Sequence, residues 1–272
     1  DLSASAGSIV DDGVNGTRIT ATSAVLTASN AVGAGGAGQV DTTLASLTAT
    51  ANGGSVFIGE TDAITLTAVT AVGGGNDVTV VNAAGDLTVV AVTAADQVDL
   101  TSGAGSIVDD GSNATLITAS LVNLIASNAI GATGANVEVD TAAVTINASA
   151  ANGGVFLRES NGALFDVISA AGGANDVEIT STTGNIDIRS ITASGDVFVT
   201  ASAGNISDGD AVESADITAF DITLTASGTV GVGGALDPLE LVAGGTVVIN
   251  AGGDVNINQT GDLTITQISG TN

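Results

Sequence analysis

The chain contains no cysteine, methionine, tryptophan, tyrosine or histidine, and its three basic residues are all arginines: Arg18, Arg158 and Arg189. Each absence closes a class of chemistry. Without cysteine there are no disulfide staples and no thiolate metal sites. Without histidine, lysine or tyrosine the commonest general acids and bases are missing. Against three arginines stand 29 acids, for a net charge of −26. That balance rules out nucleic acid as a natural partner, because phosphate binding runs on Lys and Arg. It also disfavours anionic membrane surfaces. Mean hydropathy is positive, +0.49, yet no apolar run approaches the roughly 18 residues of a spanning helix. Thr, Ser, Asn or Asp interrupts each one, so a soluble protein without a membrane span is expected. An initiator Met, a signal peptide and a basic leader are also missing, so the chain is expected to be an internal or processed piece of something longer.

What is present is repetition. DLSASAGSIVDDG (1–13) returns as DLTSGAGSIVDDG (99–111) and, more loosely, as FVTASAGNISDGD (198–210). SNAVGA (29–34) returns as SNAIGA (127–132), ANGGSVF (51–57) as ANGGVF (151–156), and GGGNDV (73–78) as GGANDV (172–177). The chain is therefore read as one continuous repeat segment, 1–272, with superrepeats of about 99 residues at 1–98, 99–197 and a partial 198–272.

Within each copy the local pattern is period-two alternation of β-branched residues, as in ITLTA (64–68), VTVV (78–81), VEIT (177–180) and VFVTA (197–201). That pattern reads as short strands. Gly, Asn, Asp and Ser separate them, and these residues tolerate tight-turn backbone. Helical periodicity is missing and only one proline occurs, Pro238. One 99-residue unit divides into five segments, 76–95, 96–116, 117–136, 137–154 and 155–174, each near the length of one turn of a parallel β-helix. The expected fold is all-β: a right-handed parallel β-helix (solenoid) with coils of about 20 residues, in roughly thirteen coils. Val, Ile and Leu would fill the lumen, and the five phenylalanines are expected to pack there too. The alternative is an array of immunoglobulin-like sandwiches, for which a repeat near 99 residues is also the right size. The subdivision at about twenty residues favours the coil.

GDLTVVAVTAADQVDLTSGAGSI (85–107), GNIDIRSITASGDVFVTASAGNI (184–206) and GDVNINQTGDLTITQ (253–267) resemble the repeats of filamentous-haemagglutinin-type exoproteins. The likeness lies in the order of residue types, with Gly-Asp or Gly-Asn first, alternating aliphatics next, then Ala or Ser and another Gly. It covers essentially the whole chain. It implies a right-handed parallel β-helix on a long secreted bacterial adhesin or surface protein.

Candidate chemistry is sparse. Paired acids in VDDG and SDGD turns, namely Asp11, Asp12, Asp109, Asp110, Asp208 and Asp210, can offer oxygen ligands to Ca²⁺. Equally, Asp-Asp-Gly is good turn chemistry by itself. GGGND (73–77) and GGAND (172–176) resemble the calcium-binding nonapeptide of repeats-in-toxin β-rolls but recur every 99 residues instead of every nine. Glycosylation sequons lie at Asn15, Asn113, Asn147, Asn205 and Asn258. Only six acids are glutamates: Glu60, Glu138, Glu159, Glu178, Glu213 and Glu240. No catalytic set emerges, and no cofactor is required. The expected function is a non-enzymatic structural stalk or scaffold segment of a large secreted bacterial surface protein or adhesin, extracellular at the cell surface. Its partners would be flanking repeats of the same chain, other copies end to end, and a host or cell-surface glycan or protein. The alternative is a self-assembling subunit of an extracellular fibre or sheath, joined by strand addition. A polysaccharide-active β-helix enzyme is the third reading.

Overall fold

Alternation along the sequence becomes alternation between lumen and solvent. The computed structural model describes residues 1–210, 212, 214–231 and 238–270; Glu213 lies outside them. Among the described residues there are 25 strands of 3 to 12 residues, and a single 3-10 turn, Gly36–Gly38, is the only helical element. No described helix is long and apolar enough to cross a membrane. The chain divides into two compact units, Asp1–Asp140 and Thr141–Asn272.

Each unit is a parallel β-solenoid, with turns of about 23 residues and some 11 turns in the two units together. In unit 1 three inward columns run from turn to turn. One is Val56–Val78–Val98–Val122, the second Ile64–Leu87–Ile107–Ile130, the third Val69–Val92–Ile117. Unit 2 builds the same three: Val155–Val177–Val197–Ile222–Val247, Ala163–Ile186–Ile206–Val230–Val255 and Ile168–Ile191–Ile217–Leu241. The pairings along these columns are all parallel, and nearly every column residue is buried. Burial of this apolar ladder is the main favourable term, and turn-to-turn backbone bonds satisfy the polar groups it strips of water.

The coil is longer and less even than the expected 20 residues. Paired residues are 18 apart at Val40↔Ile58, 20 at Val78↔Val98, 23 at Ile64↔Leu87 and 26 at Ile191↔Ile217. The columns hold register while the connections between them absorb the difference, as at the extra residues Thr67 and Asp166 in the bulges opposite Leu47/Thr48 and Ile146/Asn147. The count is accordingly about 11 turns and not thirteen. A second consequence concerns the sequence repeat. Ile9 heads the column that continues through Val32, Val56, Val78 and Val98, whereas its sequence counterpart Ile107 sits in the next column with Leu87 and Ile64. Ile9 and Ile107, though equivalent in sequence, therefore sit on different sides of the coil.

The phenylalanines correct another expectation. Phe165 is fully buried, but Phe198 and Phe220 are 39% and 60% exposed and Phe57 and Phe156 only half-buried. Their places explain it: Phe57, Phe156 and Phe198 fall at outward positions of strands whose flanking residues are buried.

The lumen is also not purely aliphatic. At one corner of unit 1 the inward stack is Thr42, Glu60, Asn82 and Ser102, all buried and in register. Asn82 Nδ2 and Ser102 Oγ donate to Gly85 O at 2.9 and 3.1 Å, tying the inward stack to the exposed turn at Gly85. In unit 2 Glu159 and Ser181 occupy the matching stack.

Candidate functional site

Several aspartates are explained by the turn-to-turn ladder. Asp86 Oδ1 accepts Ser106 N–H at 2.9 Å, Asp176 Oδ1 accepts Asp196 N–H at 2.8 Å, and Asp196 Oδ1 accepts Asp221 N–H at 3.0 Å. Asp86 and Asp196, each after a glycine, and Asp176, after Asn175, thus cap the strand of the next turn, as Asn185 Oδ1 does by accepting Asn205 N–H at 3.0 Å, doing for a solenoid corner what an N-cap does for a helix.

The six acids singled out as ligands lie in three acidic corners. Asp11 Oδ2 accepts Gly13 N–H at 2.7 Å and Asp12 Oδ1 accepts Val14 N–H at 2.9 Å. Asp109 Oδ2 accepts Gly111 N–H at 2.7 Å; Asp110 Oδ1 accepts Ser112 N–H at 3.0 Å and Thr115 Oγ1–H at 2.7 Å. Asp208 Oδ1 accepts Asp210 N–H, and Asp210 Oδ1 accepts Val212 N–H, both at 2.8 Å. All six therefore close side-chain-to-backbone turns.

Beyond that the corners differ. In unit 1 Asp11, Asp12, Arg18 and Asp41 line one recess of about 300 Å³. Burial and the neighbouring Asp11 and Asp12 push the Asp41 carboxyl up, and Arg18 opposes them. Here the protein supplies its own cation. In the corner of Asp109 and Asp110, burial raises Asp109, with Asp110 adding to it and the Gly111 N–H pulling back.

The third corner gathers acids more closely. Asp208, Asp210 and Asp216 each present a carboxylate oxygen, all within 4.8 Å of one another. Asp208 ends the strand Ile206–Asp208, which pairs with Ile186–Ile188, while Asp216 immediately precedes the strand Ile217–Ala219. Asp216 is fully buried. Its Oδ2 accepts Glu240 N–H at 2.9 Å, while no donor among the described residues reaches its Oδ1. Burial, then the carboxyls of Asp208 and Glu240, push Asp216 up to about 8 against the backbone hydrogen bond that lowers it. On the outer side Arg189 Nη1 lies 2.5 Å from Asp166 Oδ1, and its Nε 3.4 Å from Asp210 Oδ2.

Asp216 and Glu240 were not singled out by sequence. A signal existed. With Ile19, Ile117 and Ile217 aligned, the residue before them is Arg18, Leu116 and Asp216 in turn. With Val40, Val139 and Leu239 aligned, the residue after them is Asp41, Asp140 and Glu240. The acid at 240 recurs; the acid at 216 is peculiar to the third copy.

Glu60 and Glu159 form a different kind of site. Glu159 Oε2 accepts Thr141 Oγ1–H at 2.7 Å and Ala143 N–H at 3.2 Å, and its Oε1 accepts Ser160 and Asn161 N–H at 2.9 and 3.1 Å. Glu60 repeats this with Thr42, Leu44, Thr61 and Asp62 at 2.7, 3.1, 2.8 and 3.3 Å. Burial raises both carboxyls, and these hydrogen bonds hold them down. Each joins two successive turns. Set against protein-family models, curated proteins and solved structures, the chain matches none.

Proposed function

We propose that this chain is a non-enzymatic structural segment, a stalk or scaffold, of a large secreted bacterial surface protein of the filamentous-haemagglutinin type. One observation carries the reading: in each unit every turn passes its backbone hydrogen bonds and its aliphatic column to the next, so each turn templates its neighbour. Such a stack resists extension because its turns must be unzipped in sequence. The acids that sequence suggests as ligands close turns, and the buried ones stitch turns together; both uses suit a load-bearing coil. Single-molecule pulling on the chain between inert handles tests this. Stepwise lengthening in increments of about one turn is expected, and extension in one featureless slack release counts against it. Adhesion to a glycan or protein surface at the bacterial exterior completes the proposal, and binding of the labelled chain to intact cells and glycan surfaces tests that part.

The second reading is a subunit of a fibre or sheath, in which copies join through strand addition. Sedimentation velocity across a concentration series separates the readings: growing polymers favour the fibre, a constant monomer the stalk.

A further inference from the structure

We propose that Asp208, Asp210 and Asp216, with Glu240 beside them, bind a hard divalent cation of the calcium type. The site stands apart from the scaffold reading, since it needs only this corner of unit 2.

Three observations converge. The carboxylate oxygens lie within 4.8 Å of one another. Two oxygens on opposite sides of one calcium ion sit about 4.6–5.2 Å apart, whereas magnesium holds them within about 4.2 Å. A spread of at most 4.8 Å lets one calcium ion span all three oxygens, and magnesium, which gives up its waters reluctantly, suits a cage of protein carboxylates less. Next, Asp216 is fully buried, and no donor among the described residues reaches its Oδ1. A buried carboxylate oxygen left so is costly, and a cation among these acids removes that cost. Finally, the corner has been given three different solutions. Where Asp216 stands, unit 1 has Arg18 in the first copy, set among Asp11, Asp12 and Asp41, and the apolar Leu116 in the second. The third copy instead adds another acid to acids already present. Arg189 divides its guanidinium between Asp166 and Asp210, and one charge so shared does not balance four carboxyls. An external cation takes the part that Arg18 plays in the first copy.

A proton shared between Asp216 and Glu240 is the competing solution, and a direct binding measurement separates the two. The intact chain is stripped with chelator and titrated calorimetrically with CaCl₂, then MgCl₂, in about 150 mM NaCl, where diffuse attraction to the acidic surface is screened. One saturable calcium site per chain is expected, with magnesium at least tenfold weaker. Asp210→Asn and Asp216→Leu should each abolish it. The leucine variant restores the residue of the second copy, and its melting temperature in chelator should match or exceed that of the parent while losing the rise that calcium gives the parent. Absence of a saturable site, or calcium binding unchanged in Asp216→Leu, overturns the proposal. If Asp216→Leu does not fold, undiminished binding by Asp210→Asn overturns it equally.

Discussion

A buried glutamate in a protein of this charge is an expensive choice, and Glu159 shows what it is for. It occupies an inward position at the end of Val155–Glu159, where alternation would otherwise place another aliphatic side chain. Its two oxygens take four donors, two from its own turn and two from the preceding one. Replacing it with Leu keeps the volume but strands the Ala143 and Asn161 N–H groups, while Ser160 N–H keeps Thr141 O and the Thr141 hydroxyl keeps Arg158 O. Glu159→Leu is therefore expected to lower stability by about 2–4 kcal/mol, since each unmet buried donor costs about 1–3 kcal/mol and some will find water. Thr141→Val removes one donor with its acceptor still served, and should cost only about 1 kcal/mol. Urea unfolding followed by circular dichroism checks both, and a Glu159→Leu midpoint equal to the parent's would show that the carboxylate is dispensable. None of this was visible in the sequence. A glutamate in an acidic, polar repeat reads as solvated surface, and burial depends on a register that the residue does not announce. The usable clue was statistical: two of only six glutamates, Glu60 and Glu159, recur at the 99-residue interval.

At the scale of strands and turns, the sequence was most informative about type and least about length. Runs such as ITLTA and VFVTA form strands where they were expected, Ile64–Ala71, Ile222–Ala226 and Val197–Ala201 among them. Turn lengths did not follow, because connections of different length reach the same next column and nothing in a Gly/Asn/Asp run fixes how many residues it spends. Core aromatics were misjudged for a related reason: one residue of offset moves a side chain from lumen to solvent. The close stacking of successive turns has a sharp local consequence at glycine. A Cβ built on Gly204 would collide with the carbonyl oxygen of Gly184 one turn away, as one on Gly105 would with that of Gly85. A Cβ on Gly7 meets nothing. Gly204→Ala should thus cost about 1–3 kcal/mol, as overpacking typically does, and Gly7→Ala should be neutral. Equal melting temperatures for the two variants would mean the turns are not stacked that tightly.

For the molecule as a whole, the dominant electrostatic fact is 29 acids held by a coil with three arginines. Burial lifts the carboxyls of Glu60, Asp77 and Glu159 above their ordinary values of 4.5, 3.8 and 4.5. Between the ordinary and the raised values the folded chain binds more protons than the unfolded one, so stability falls as pH rises. The contribution of these groups is fully present below the ordinary values and is lost as pH climbs through the raised ones. Self-repulsion among the surface acids acts in the same direction and is screened by salt. In chelator at low salt the melting temperature should be higher at pH 5 than at pH 8, and added NaCl should narrow the gap. A melting temperature that rises from pH 5 to pH 8 would contradict this.

The claim beneath all the others is that each turn lies parallel and in register on the one before it. Absence of native cysteine makes a direct test clean. Thr79 pairs with Asp99 in unit 1 and Phe198 with Thr223 in unit 2, all four outward-facing. Cα atoms of adjacent strands lie within the roughly 4.4–6.8 Å that a disulfide spans. Under mild oxidation Thr79→Cys with Asp99→Cys, and Phe198→Cys with Thr223→Cys, should each lose both free thiols and keep the parent's circular dichroism. The displaced pair Thr79→Cys with Thr101→Cys should stay reduced. Ready cross-linking of the displaced pair, with the in-register pairs remaining free, would show that the turns do not stack as parallel neighbours.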